Sequence, residues 1–225
     1  MWVQRLNANN EKAFSDRGSG FKIMFNFFKK KIANEDQFPE IVEKLLILLN
    51  KAQETAIGSI WRGLEGMNIN WKFDPLKMNP KVIDALYGYQ ITCLVGFSSQ
   101  EKLIKSLDIL KFRKELLKQI ESTTEQSTKI IEEYNQHYLD CTGDIPCLKK
   151  NFSKDMIELY KVPDNEKIHE IKEMLEDITV VVALQTQVDT AFVFGNKSLE
   201  KQLTKRFKEY LYEESWTSKL KKMKK

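Results

Sequence analysis

Glycine and proline are scarce in this chain. Its 225 residues include 9 glycines and 5 prolines, the two residue types that most often mark turns. Folds rich in β-strands need many turns, so this scarcity favours long uninterrupted helices. Alternation of apolar and polar residues, the pattern of a half-buried strand, never extends beyond a few positions.

Long apolar runs are also missing. No run of about 18 apolar residues occurs, so we expect no membrane-spanning helix. The first twenty residues lack the apolar stretch of a signal peptide, which favours a cytoplasmic protein with reduced thiols. We expect residues 1–20 to be a disordered leader, residues 21–213 a single helical domain, and residues 214–225 a basic tail.

Residue types typical of catalytic and metal sites are few or poorly spaced. The chain has two histidines, neither beside an obvious nucleophile, and lacks Gly-x-Ser-x-Gly, a phosphate-binding glycine loop and His-Glu-x-x-His. Glu166 and His169 match one ligand pair of di-iron four-helix proteins, but no second pair occurs and both align with a charged helix face. We therefore expect no cofactor and no metal, and we favour a non-catalytic protein.

Two of the three cysteines lie in the stretch "HYLDCTGDIPCLKK", residues 137–150. Cys141 and Cys147 are separated by five residues, whereas paired zinc ligands usually have about two to four between them. A turn containing Gly143 could bring the two thiols within reach of a disulfide, but a disulfide needs an oxidising compartment. We favour an inter-helix turn with two free thiols and keep a disulfide as the alternative.

Helical periodicity covers most of the chain. Pro39 and Pro80 suit first-turn positions, and "SSQE" (98–101) matches a capping box with Ser98 as the N-cap. These signals predict a helix over 80–96 that stops at Gly96, then a helix from 99 to about 139. The segment 121–128 has no apolar residue, so that second helix either breaks there or continues; we favour a continuous or kinked helix.

The longest apolar stretch lies in a helix expected at about 165–194. Its sequence becomes nearly all apolar at "ITVVVAL", which predicts a central, buried position. A last amphipathic helix should end at about residue 213. The expected fold is an all-α, antiparallel bundle of about six or seven helices around this long apolar helix.

Two polar residues fall on the predicted buried face of that helix. Gln185 and Asp189 lie one turn apart, at about 100° per residue. The apolar members of the same stripe are Ile171, Met174, Leu175, Ile178, Val181, Val182, Val188 and Phe192. A buried carboxylate must be paired, hydrogen-bonded or protonated. We favour an internal polar contact and keep the floor of a ligand pocket, or an enzyme site in the bundle core, as alternatives.

The two ends of the chain are basic. Residues 1–34 carry seven Lys/Arg against two Asp/Glu, and residues 197–225 carry ten against four. The segment "FKIMFNFFKKKI" (21–32) reads as an amphipathic helix with Phe21, Phe25 and Phe28 on its apolar face and a lysine run formed by Lys29, Lys30 and Lys31. We favour an ordinary helix whose phenylalanine face packs on the bundle. Such a segment also suits an anionic membrane surface, whereas the acidic body of the chain disfavours nucleic acid.

The functional prediction is a non-catalytic α-helical protein that binds a protein partner. A peripheral membrane protein that uses residues 21–32 is the first alternative, which would make the cytoplasmic protein membrane-associated. A small-molecule or metal-dependent enzyme is the second. The sequence identifies neither a partner nor an oligomeric state.

Overall fold

A computed structural model describes residues 32–67, 80–124, 126–141, 145–161, 167–215 and 218. These residues form a bundle of seven α-helices, which confirms the predicted all-α class and helix number. The helices are α1 (Phe38–Gly66), α2 (Pro80–Gln100), α3 (Ile109–Thr123), α4 (Thr128–Leu139), α5 (Ile145–Leu159), α6 (Ile168–Val193) and α7 (Lys197–Glu209). Two 3-10 turns (Glu35–Gln37 and Ser106–Asp108) precede α1 and α3, and a π-helical turn (Tyr210–Glu214) follows α7.

The core consists of two apolar clusters stacked along the bundle. One contains Leu45 of α1, Leu94 of α2, Phe112 of α3 and Phe194 after α6. The other contains Ile60, Tyr89, Phe152 and Met174, from α1, α2, α5 and α6. Since α1, α2, α4 and α6 contribute to both clusters, these four helices join the two halves of the bundle.

Burial is most complete along α2. Fourteen of its 21 residues are buried, compared with eleven of the 26 residues of α6. Helix α6 packs against α1, α2, α5 and α7, and its bounds lie within three residues of the expected 165–194. None of the helices in the described ranges is long and apolar enough to cross a bilayer.

Helix α2 and helix α4 approach each other closely at Gly88. A Cβ atom on Gly88 would lie 2.6 Å from Cβ of Tyr134 and 2.9 Å from the backbone nitrogen of Asn135. Asn135 is buried at this crossing and donates through Nδ2 to Oγ1 of Thr92 at 2.8 Å. The contact therefore requires a residue without a side chain on α2.

The predicted stop at Gly96 and the capping box at 98–101 are both wrong. Helix α2 continues through Gly96 to Gln100. Leu103 N then donates to Ser98 O at 2.9 Å, and Lys102 N donates to Ser99 O at 3.1 Å, with Lys102 at φ 54°. This is the hydrogen-bond pattern of a Schellman motif. The serine pair thus lies in the last turn of one helix and does not begin the next, because buried Phe97 keeps the chain helical against the core.

The favoured continuous helix from 99 to 139 is also wrong, because the chain breaks between α3 and α4. At the end of α3, the hydroxyls of Thr123 and Thr124 donate to the carbonyls of Gln119 and Ile120, at 2.6 and 2.8 Å. Ser127 then caps α4 by accepting from Ile130 N at 3.4 Å. A segment without apolar residues gains nothing from core packing, and the chain leaves the helix at Thr124, whose backbone is extended at φ −135° and ψ 165°.

Candidate functional site

A groove of about 820 Å³ lies between α1, α6 and α7. Its floor is the apolar face of α6, including Ile178, Val181 and Val182. Phe207 of α7 and Leu211 of the π turn form one wall. The other wall is α1, whose lining residues include Ala52, Thr55, Ala56, Ser59 and Gly63.

The groove exists because the α1 wall is built from small residues. Side chains of this size cannot fill the space between α1 and α7. Helices α1 and α6 approach each other closely at Gly63. A Cβ atom on Gly63 would lie 2.0 Å from Sδ of Met174 on α6. The sequence pattern shows these small residues, but it does not show that they face a space and not a neighbouring helix.

The hydroxyl groups that line the groove are already used by the backbone. Thr55, Ser59 and Ser215 each donate to the carbonyl four residues earlier, at 2.9, 2.8 and 2.8 Å. Among the described lining residues there is neither a histidine nor a cysteine. The groove therefore presents a surface for binding and lacks, within the described residues, a nucleophile paired with a base.

Gln185 and Asp189 lie on the groove face of α6 and contact each other. Nε2 of Gln185 donates to Oδ1 of Asp189 at 2.7 Å. Asp189 is 8% exposed and Gln185 is half-buried. Burial raises the pKa of the Asp189 carboxyl to about 6, although the bond from Gln185 and the charge of Lys51 act in the opposite direction. Both residues predicted from the helical stripe thus line the groove near the Lys51 end of its α1 wall.

A second carboxylate lies toward the opposite end of the groove. The hydroxyl of Tyr210 donates to Asp177 of α6, which ties the π turn to the groove floor. Burial is the main cause that raises the pKa of the Tyr210 hydroxyl above its usual range, and the Asp177 carboxylate raises it further. Arg62 lines the groove on α1 and donates through Nε to Gly58 O at 3.0 Å. Charged groups thus flank an apolar middle.

Exposed apolar side chains extend beyond the groove. Phe192 lies one turn after Asp189 on α6 and is 58% exposed, so its assignment to the predicted buried face was wrong. Ile47 lies one turn before Lys51 on α1 and is 65% exposed. These two residues add apolar surface at the Asp189 end.

The sequence pattern placed Phe192 on the buried face of α6, but in the structure three threonines are buried on this helix. Thr179, Thr186 and Thr190 are at most 1% exposed, and each donates its hydroxyl to the carbonyl four residues earlier. Tyr89 of α2 also donates to Thr179 O at 2.9 Å. Because the hydroxyls are satisfied within the helix, the threonine methyl groups pack as apolar residues. An apolar-versus-polar pattern counts threonine as polar and therefore misplaces the stripe.

The structure contains a disulfide between Cys141 and Cys147, not the two free thiols that we favoured. The S–S distance is 2.06 Å and the two Cα atoms are 5.4 Å apart, within the range that bridged cysteines adopt. Asn151 of α5 contacts Cys141 Sγ through Nδ2 at 3.0 Å. Cys93 is the free cysteine, and burial raises the pKa of its thiol to about 12. A stable bridge needs an oxidising environment, which disagrees with the expectation of reduced thiols.

The two histidines contact carboxylates at the surface. Nε2 of His137 lies 3.5 Å from Oδ2 of Asp155, which also accepts from the Tyr138 hydroxyl at 2.9 Å. Burial raises the pKa of the Asp155 carboxyl. His169 is 84% exposed and lies 3.6 Å from Glu173. Within the described residues, no three His, Cys, Asp or Glu side chains are grouped closely enough to hold a metal ion.

Several predicted positions lie outside the described residues. They include the membrane-surface residues Phe21, Phe25, Phe28, Lys29, Lys30 and Lys31, the leader 1–20, and Glu166. For these the sequence-based expectations stay predictions.

The chain has been compared with protein-family models, with curated proteins and with solved structures. None of these comparisons gives a match. A functional interpretation therefore depends on the shape and chemistry of the groove itself.

Proposed function

We propose that this protein is a non-catalytic binding protein that holds an amphipathic helix of a protein partner in the groove between α1, α6 and α7. The observation that carries this proposal is the elongated apolar floor. Its lining on α6 extends from Met174 to Asp189, fifteen positions or about 22 Å along the axis, which is about four turns of a bound helix.

The shape favours a helix over a small molecule. Ile47 and Phe192 are exposed beyond the end of the groove. A small molecule confined to the groove would leave both side chains in water, whereas a helix that continues past Asp189 would cover them. The small residues of α1 also allow the backbone of a partner helix to approach closely. This is the helix-in-groove mode, in which anchors one turn apart enter an apolar cleft.

The charges suggest the chemistry of the partner. Oδ1 of Asp189 accepts from Gln185, and among the described residues no donor reaches its other oxygen. A Lys or Arg on the partner helix would satisfy that oxygen and favour the ionised carboxylate. We infer a partner helix with an apolar stripe and one basic residue opposite Asp189.

The test is to fill the groove from an exposed position. Thr55 is exposed and lines the groove, so Thr55→Trp should place a large side chain inside it without disturbing the core. Glu54→Trp is the matched control, because Glu54 is also exposed on α1 but does not line the groove. The probe is a displayed library of amphipathic peptides about four turns long, with binding measured by fluorescence anisotropy and peptide helicity by circular dichroism.

Selected peptides should become helical on binding and should bind wild type and Glu54→Trp alike. Their affinity for Thr55→Trp should fall by about tenfold or more, since one desolvated contact of about 1.4 kcal/mol has that effect. Peptides that bind Thr55→Trp as tightly as wild type, or that bind without becoming helical, would contradict the proposal.

A further inference from the structure

Two leucines project from one end of the bundle. Leu107 is 90% exposed and Leu110 is 46% exposed. They lie one turn apart, where the 3-10 turn Ser106–Asp108 leads into α3. Their neighbours Ile109 and Phe112 are fully buried, so the core holds this turn in place and presents the leucines outward. Exposed apolar groups in a fixed position commonly mark an interaction surface.

Lysines surround these leucines. Lys102 and Lys105 lie in the preceding loop, and Lys114 lies one turn after Leu110 on α3. All three are exposed and form no ion pair with any described residue. Lys111 is different, because it contacts Glu35 at 2.5 Å and Asp108 at 3.7 Å. Three exposed lysines without an ion pair among the described residues thus flank the projecting leucines along the chain.

Ile32 and Ala33 also lie at this end. Ala33 N donates to Leu103 O at 3.0 Å, which places Ile32, 42% exposed, beside the lysine-containing loop. Ranges 32–37 and 101–114 together hold five Lys/Arg and four Asp/Glu. The preceding residues 21–31 contribute four lysines, four phenylalanines and no acidic residue. Residues 21–31 lie outside the described part of the chain, and their sequence carries further apolar and basic residues.

We propose that this end of the bundle docks on an anionic lipid bilayer, with Leu107 and Leu110 entering the interface and the lysines contacting the headgroups. The leucines project from the end of the bundle and do not line a cleft, so a soft surface that closes around them fits better than a rigid protein. Lysine stems lie along apolar surface while their ammonium groups reach phosphate. Each lysine near an anionic bilayer adds attraction that salt screens. The surface is separate from the groove and does not depend on a partner helix.

The experiment is co-sedimentation of the full chain with vesicles at about 0.1 M salt. Vesicles that contain phosphatidylserine should pellet the protein, and vesicles of phosphatidylcholine alone should not. Leu107→Gln combined with Leu110→Gln should lower the partition coefficient by about tenfold, because the apolar contribution is lost. Lys102→Glu combined with Lys105→Glu should lower it similarly, with the effect shrinking as salt increases.

Two controls test whether binding depends on this surface or on any exposed apolar side chain or lysine. Tyr212→Gln removes a large side chain that is 77% exposed elsewhere, and should bind like wild type. Lys154→Glu combined with Lys172→Glu makes the same charge change on α5 and α6, and should lower binding much less. The proposal is overturned if wild type fails to bind phosphatidylserine vesicles. It is also overturned if the leucine variant binds as well as wild type, which would assign any binding to another part of the chain.

Discussion

Asp189 is a carboxylic acid in a buried position, although a carboxylate is most stable in water. It is 8% exposed on the face of α6 that lines the groove, with Gln185 as its hydrogen-bond donor and Lys51 of α1 as the nearby cation. The helical stripe predicted a buried position for this carboxylate, and the carboxylate is buried in the structure. The sequence could not show that the stripe opens onto a groove, because that depends on where α1 and α7 lie.

Asp189→Asn should therefore stabilise the protein in a pH-dependent way. The pKa of Asp189 is raised from 3.8 to about 6 in the folded state, so the folded state binds more protons than the unfolded state between these values. Wild-type stability should accordingly fall as pH rises through this window. We expect the variant to exceed wild type by about 1–2 kcal/mol at pH 7.5, a value reduced because the carboxyl partly faces water.

Urea denaturation at pH 4.5, 6 and 7.5 measures this difference, with Asp36→Asn as a control for the same exchange at an exposed site. The gap between Asp189→Asn and wild type should widen with pH. A gap that stays constant across the three pH values would contradict a buried carboxyl with a raised pKa.

At the scale of single elements, some local sequence signals predicted helix ends correctly and others did not. Pro80 begins α2, and Asn196 caps α7 by accepting from Leu199 N at 3.2 Å after Gly195 reverses the chain at φ +67°. The signal at Ser98 failed because the same residue types also occur in the last turn of a helix whose end is buried. A capping box and a Schellman motif are distinguished by the direction in which the core lies, which the local sequence does not contain.

Glycines in the helices should respond to alanine in opposite ways. Gly88→Ala should destabilise the protein by about 2–3 kcal/mol, because α2 and α4 must move apart to admit a methyl group. Gly58→Ala and Gly96→Ala should stabilise it by about 0.5–1 kcal/mol, because nothing lies within 4 Å of a Cβ atom at either position and alanine favours the helix. Denaturant midpoints of the three variants give the comparison. A stabilising effect of Gly88→Ala, like that expected at the other two positions, would show that α2 and α4 are not in close contact.

The disulfide between α4 and α5 should contribute modestly to stability. Cys141 and Cys147 are six positions apart, and closing so short a loop is worth about 2 kcal/mol in the chain-entropy account. Mass spectrometry should show a gain of about two hydrogens on reduction, and the denaturation midpoint should fall. Cys141→Ser combined with Cys147→Ser should have the denaturation midpoint of the reduced protein, and reductant should not change that midpoint. A reductant effect that persists in this double variant would instead implicate Cys93.

At the scale of the whole molecule, the class and the number of helices followed from the sequence because periodicity and turn scarcity are local properties. The groove did not, because it depends on contacts between residues far apart in the chain. One is the bond between Tyr210 and Asp177, separated by 33 residues. Another is the convergence of α1 and α6 at Gly63 and Met174. The spaced small residues on α1 are the sequence signal related to the groove, but they do not show whether that face meets a space or a neighbouring helix.

Tyr210→Phe should loosen one wall of the groove while leaving the rest of the bundle intact. The variant loses its hydrogen bond to the Asp177 carboxylate, which should cost about 1.5–3 kcal/mol. Hydrogen exchange should accelerate within residues 205–215 and remain unchanged in α2 and α4. Tyr212→Phe is the control, because Tyr212 is 77% exposed. Equal effects of the two variants would show that the bond to Asp177 does not hold the wall.

The π turn that ends α7 also sets the direction of that wall. Ser215 N donates to Tyr210 O at 2.9 Å, five residues back, so this turn takes more residues per revolution than an α-helix. Phe207, Leu211 and Ser215 are spaced four apart and all line the groove. In a regular α-helix each step of four residues would rotate the side chain by about 40°, and the row would wind away from α6. The wide turn partly cancels this rotation, which helps to keep Phe207, Leu211 and Ser215 on the side of the element that faces the groove.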